Sequence, residues 1–159
     1  MSRAFVKEQD DVPEELMERP VSASPNVVTP RGLKMIDAEI EALRRVLAQG
    51  QNEADKAAIA RASRDLRYWM QRRSTAQLVD PPARPETVGF ATKVTILRDD
   101  GRKQVFSLVG EDETDPSSGF ISYTSPMARA LAGKAVGEFA EIPGGEAEIV
   151  KLEPISPEG

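Results

Sequence analysis

Two acids, Glu53 and Asp55, lie in the polar stretch LAQGQNEADKA between Leu47 and Ala57. Acids in a stretch between two helical repeats are either part of a plain turn or a tip that carries chemistry. The same position gives Asp55 a plainer role: just ahead of a helical pattern, an acid favours the helix N-terminus by roughly 0.3–1 kcal/mol. Asn52 can cap the same helix. A second group is the arginine row Arg61, Arg64, Arg67 and Arg72, with Arg73 beside it and Arg44 and Arg45 upstream. Such a row either meets a phosphate backbone or an acidic wall through salt-sensitive contacts, or is a solvated helix face. A third is the acidic run Glu111, Asp112, Glu113 and Asp115, which is either a solvated turn or a face for a basic partner.

The chain of 159 residues has no Cys and no His. Disulfides, thiolate metal sites, Ser-His-Asp and Cys-His arrangements are therefore excluded, and so are most zinc sites. No apolar run approaches the ~20 residues of a membrane span, and the first twenty residues lack the apolar core of a signal peptide. A cytoplasmic protein is expected. The net charge of −5 is uneven. Residues 1–29 hold three basic and six acidic side chains, residues 30–78 ten and six, and residues 79–159 eight and fourteen. A basic middle between acidic flanks can approach a phosphate backbone while the last segment meets a basic protein surface.

Helices must position the first two groups. Thr29 is a good N-cap and Pro30 suits the first helical position, while Gly32 weakens the first turn. Leu33, Ile36, Ile40, Leu43 and Leu47 follow at heptad spacing, and Ile59, Ala62, Leu66 and Trp69 continue it past the acidic stretch. Two seams joined by a few residues fold back as an antiparallel hairpin. A first helix over Gly32–Gln49 would be about 27 Å long. Tyr68 and Trp69 read as core or near-core rather than stacking platforms. After the Pro-rich stretch Asp80–Glu86 the period changes to strands: Phe90–Leu97, Lys103–Gly110 and Gly119–Ser125. Asp100-Gly101 and Gly144-Gly145 mark hairpin turns, and Ser125-Pro126 opens a short helix ending at Gly133. The expected fold class is α+β. Its order is a disordered tail over 1–26, a coiled-coil hairpin over 27–79, a linker over 80–87, and over 88–156 a sheet of about five strands with one short helix.

The segments VGFATKVTI from Val88, VFSLVGEDETDPSSGFISYTSPMARALAGKAVGE from Val105 and IPGGEAEIVKLE from Ile142 resemble the C-terminal domain of the bacterial transcript cleavage factors GreA and GreB. ISYTSPMARALAGKAVG is the most specific part, and the resemblance runs in order from Val28 to Glu153. It implies an FKBP-like fold for the last domain. It also implies a transcription elongation factor, an accessory factor and not an enzyme by itself, that binds the rim of the RNA polymerase secondary channel and inserts its coiled coil. By the same resemblance Ser125, Pro126, Met127 and Arg129 contact polymerase. Arg61, Arg64, Arg67 and Arg72 face nascent RNA or the channel wall. Such a factor is expected to be a monomer with no cofactor of its own, sharing Mg²⁺ with the polymerase.

The tip departs from the family pattern Gly-Asp-x-x-Glu-Asn. Alignment on Gly50 puts Gln51 and Ala54 where the two acids belong, and a slip of one residue offers Glu53 and Asp55 instead. Heptad counting also makes each arm short, and two missing turns mean about 11 Å of lost reach. A non-cleaving secondary-channel regulator, an anti-Gre factor or initiation modulator, is therefore the alternative. An FKBP-like prolyl isomerase or chaperone and a nucleoside diphosphate kinase regulator are more distant rivals, because fold alone says little about function.

Overall fold

The computed structural model describes residues 16–156. Val27–Val28 (β1) leads into a helix over Pro30–Asn52 (α1) and a second over Lys56–Thr75 (α2), followed by Gln77–Leu78 (β2). Five strands come next: Thr92–Arg98 (β3), Lys103–Val109 (β4), Phe120–Ser122 (β5), Phe139–Ile142 (β6) and Gly145–Pro154 (β7). Single 3₁₀ turns at Glu111–Glu113 and Pro116–Ser118 precede β5, and a short helix, Pro126–Leu131 (α3), precedes β6. The class is α+β, a helical hairpin followed by a five-stranded sheet domain with one short helix.

The described chain divides into two compact units. One contains residues 16–23 and 36–74; the other contains 24–35 and 75–156. The sequence-based division placed the whole of 27–79 in the hairpin. In the structure both ends of that stretch group with the sheet unit. Glu113 accepts from the Thr29 N–H and the Tyr123 hydroxyl donates to the Pro25 carbonyl, while β1 and β2 pair with each other in parallel, Val27 with Gln77 and Val28 with Leu78. The Asn26 side chain also donates to Thr75 Oγ1 at 3.0 Å.

In the first unit the helices run antiparallel. Asp37 meets Arg73 near one end, and Gly50 meets Ala58 and Ile59 near the other. Gly50 is buried within α1. A β-carbon there would lie 3.3 Å from Ile59 Cγ1, so its role is close helix approach rather than a turn. Helix α1 has 23 residues, about 34 Å. It runs past the expected end at Gln49.

The tail expected over 1–26 lies outside the described residues for 1–15. Residues 16–23 lie along α2. Glu18 takes a forked pair from Arg67, and Arg19 pairs with Asp65 and covers the Tyr68 ring at 4.0 Å.

In the second unit the strand order is β5-β4-β3-β7-β6, antiparallel except for β4 with β5. Alternation sends Val94, Ile96, Leu108, Ala140, Ile142, Ala147 and Ile149 to one face, where Ala128 and Leu131 of α3 close the core. A smaller cluster contains Ala91, Val109 and Ile155 with Phe90 and Phe120 against it. No described helix is long and apolar enough to cross a membrane.

Candidate functional site

The hairpin tip is Glu53, Ala54 and Asp55. Helix α1 ends when Ala54 takes a left-handed conformation, φ 53°, and the Asp55 N–H reaches back to the Gly50 carbonyl at 2.9 Å. Asp55 then caps α2, its Oδ1 accepting from the Ala58 N–H at 3.1 Å. The cap is Asp55, not Asn52, because Asn52 is still helical. Glu53 accepts from Gln49 Nε2 at 2.6 Å. Both acids are exposed, and each already serves the local backbone or its own helix. Mg²⁺ takes about six oxygens in near-octahedral geometry. Among the described residues no three acids, Cys or His come together around an ion. The tip residues by themselves do not fit the metal.

The arginine row divides. Arg61 is exposed, Arg64 Nε donates to Asp65 Oδ1 at 3.1 Å, and Arg67 holds Glu18. The Arg67 hydrogen bond keeps the Glu18 carboxyl below the ordinary glutamate range and raises Arg67 in return. Arg72, expected to face nucleic acid or a channel wall, is 2% exposed and engaged within the protein. It stands four and seven residues beyond Tyr68 and Asp65, on the flank that Arg19 packs against. Burial there leaves it no surface to present. Arg44 pairs with Glu41 and Arg73 with Asp37.

In the sheet unit Ser125 caps α3, its Oγ accepting from the Ala128 N–H at 3.2 Å, and Pro126 occupies the first turn, exposed. Met127 is half-buried against the core, whereas Arg129 is exposed and donates from Nε to the Thr124 carbonyl at 2.9 Å. Helix α3 packs beside β6, whose Phe139 is 55% exposed, with Val136 at 57% just ahead of it. Neither was picked out as an exposed contact from the sequence. The signal was the alternation in FAEI, where the small Ala140 and Ile142 turn inward and send Phe139 out.

The acidic run is not a single surface. Glu113 is buried, accepting from the Thr29 N–H at 3.0 Å and from the Thr29 hydroxyl, with the Gly110 N–H at 3.3 Å and Arg31 at 3.9 Å. Asp115 instead accepts from Ser117 and Ser118, which lower its carboxyl below the usual range. The aromatic side chains do not converge on one pocket: Phe106 packs on the main core, Phe90 and Phe120 on the smaller cluster, and Phe139 faces out.

Residues 83–154 match the family model for the C-terminal domain of the transcription elongation factors GreA and GreB. The elongation factor GreB of Yersinia pestis is 32% identical over 152 residues, covering 82% of this chain and 89% of that protein. The chain belongs to the GreA/GreB family. GreA of Alkalilimnicola ehrlichii is also similar, 31% identical over 144 residues and matched over 91% of its length. Among solved structures, GreA factor homolog 1 (Gfh1) of Thermus thermophilus is 19% identical with a TM-score of 0.40, covering 80% of this chain and 97% of that one. Within the GreA/GreB family match lie the whole of α3, with Ser125, Pro126, Met127 and Arg129, and all five strands of the sheet. The tip acids and the arginine row lie before it.

Proposed function

We propose that this GreA/GreB family member docks on RNA polymerase through its sheet domain, presents its helical hairpin to the secondary channel, and alters access to that channel without stimulating transcript cleavage. The observation that carries the second half is the tip, where Asp55 is tied to the Ala58 amide as a helix cap and Glu53 to Gln49. Withdrawing Asp55 to bind an ion would uncap α2, at a cost of about 1 kcal/mol. The continuation of α1 to Asn52 restores almost a turn of the reach that counting to Gly50 left out. Tip chemistry, more than length, therefore supports the non-cleaving reading.

Docking is supported by the surface around α3, where Pro126 and Arg129 are exposed beside Val136 and Phe139. Apolar side chains next to a cation suit a protein partner with an acidic, partly apolar face. An isomerase role has less support, since peptide-binding pockets need aromatic walls that here are dispersed.

The deciding experiment is RNA cleavage in a stalled, backtracked polymerase complex. The expected result is polymerase capture with no cleavage above the polymerase's own rate, and competition against a cleaving family member. Cleavage that appears with this chain and vanishes in Glu53→Ala or Asp55→Ala would overturn the non-cleaving reading. Failure to capture polymerase would remove the docking.

A further inference from the structure

Glu18 and Arg19 lie against the face of α2 that carries Arg64, Arg67 and Tyr68, with the Trp69 ring at its edge. We infer that they are a built-in competitor for single-stranded nucleic acid on that face. The inference rests on the reading that the hairpin works beside nucleic acid. Glu18 offers Arg67 a carboxylate fork, with Nε 3.0 Å from both oxygens and Nη2 2.5 Å from one. That fork is also how a guanidinium takes a phosphate. Arg64 bears on the same carboxylate. One residue on, the flat guanidinium of Arg19 covers the Tyr68 ring at 4.0 Å and lies 5.6 Å from the Trp69 ring. A stacked base would occupy that place. Adjacent residues thus stand in for a phosphate and a base.

The segment is held by charge, not burial. Leu16, Met17 and Val21 are 37%, 87% and 38% exposed. Exposed ion pairs are weak and screened by salt, so a polyanion can displace this one. Asp65 receives both Arg19 and Arg64, and on displacement it keeps Arg64 alone. A rigid acidic protein gains nothing from the tyrosine and tryptophan rings, whereas a flexible strand uses both rings and cations.

Trp69 is the chain's one tryptophan and reports the event. The full chain and the Glu18→Gln/Arg19→Ala variant are titrated with labelled oligouridylate of about 20 nucleotides at low salt. The variant should bind about three- to tenfold tighter, with a gap that narrows as salt rises. Adding Arg67→Ala should abolish the gain, and RNA should shift wild-type Trp69 emission toward that of the free variant. Equal affinities, weaker binding by the variant, no binding by either protein, or binding without the emission shift would each overturn the competitor. Glu18→Lys, at an exposed side chain, is a second variant expected to bind tighter still. Polymerase capture by the same proteins separates the two proposals. Capture with unchanged RNA affinity removes only the competitor; a gain in RNA affinity without capture supports the competitor and removes the docking.

Discussion

The carboxylate of Glu113 closes the N-terminus of α1 by accepting the backbone N–H and the hydroxyl of Thr29, 84 residues earlier in the chain. Gly32 makes room for it, and Gly110 lies between its carboxylate and the Val27 carbonyl. A β-carbon on Gly32 would fall on the Glu113 carboxyl group, 2.6 Å from its Cγ, and one on Gly110 would lie 3.2 Å from Oε2. Removing the carboxylate strands three buried donors, the Thr29 N–H, the Thr29 hydroxyl and the Gly110 N–H. Glu113→Ala is expected to lower unfolding free energy by about 2–4 kcal/mol in urea titration.

Gly32→Ala tests the same contact from the other side. Helix propensity favours Ala by about 1 kcal/mol, but overpacking costs about 1–3 kcal/mol. A net loss is expected in the native background. In the Glu113→Ala background the same change should become neutral or stabilising. A loss of equal size in both backgrounds would mean that some other neighbour excludes the side chain.

At the tip, Asp55→Ala should cost about 1 kcal/mol of helix stability through its cap, and Asp55→Asn much less. Ala54→Gly should stabilise by roughly 0.5–1 kcal/mol, because Gly relieves the left-handed backbone. Glu53→Ala should stay within about 0.5 kcal/mol. Helix content followed through thermal unfolding reads all three.

Arg61 and Arg72 should behave as opposites. Arg72 is buried, and Arg72→Ala is expected to destabilise by about 2–3 kcal/mol through lost packing and a lost partner. Arg61 is exposed, and its replacement should leave stability within about 0.5 kcal/mol while weakening salt-sensitive binding to nucleic acid. Melting curves beside a binding titration check both.

The Glu18 contact also predicts an acid transition. Hydrogen bonding and the charge of Arg67, with Arg64 nearby, depress the Glu18 carboxyl from its reference of 4.5. A depressed acid contributes stability that is fully present above the reference value and is lost as pH falls through the lower, folded one. Arg67 stays charged throughout. Trp69 emission should hold steady down to about pH 5 and change below the ordinary glutamate range. Glu18→Gln should show the acid-end emission at neutral pH. A transition unaltered in that variant would belong to another carboxylate.

Much of the framework could be read from local signals. The heptad seams, the Thr29-Pro30 start, the Ser125-Pro126 start and the glycine turns at Gly101 and Gly144 are each determined by residues within a few positions of one another. The antiparallel hairpin followed from them, whereas the family of the sheet domain came from the resemblance of its segments to GreA and GreB. The tip was half legible: Asp55 was read as an acid at a helix start, but Gly50 was taken for the break, since glycine ends helices more often than it lines a helix contact.

What the sequence by itself determined are the contacts whose partners lie within a turn or a hairpin of each other, because short spacing leaves the backbone few choices. Tertiary structure alone decided which acid of the 111–115 run turns inward, which arginine of α2 is buried, and where residues 16–19 lie. Each depends on a group tens of residues away. Glu113 is one acid in a row whose neighbours Glu111, Asp112 and Asp115 are only half-buried, and only the approach of Thr29 and Gly32 makes its full burial favourable. Arg72 is one cation in a row by sequence, and only the fold buries it at 2% exposure.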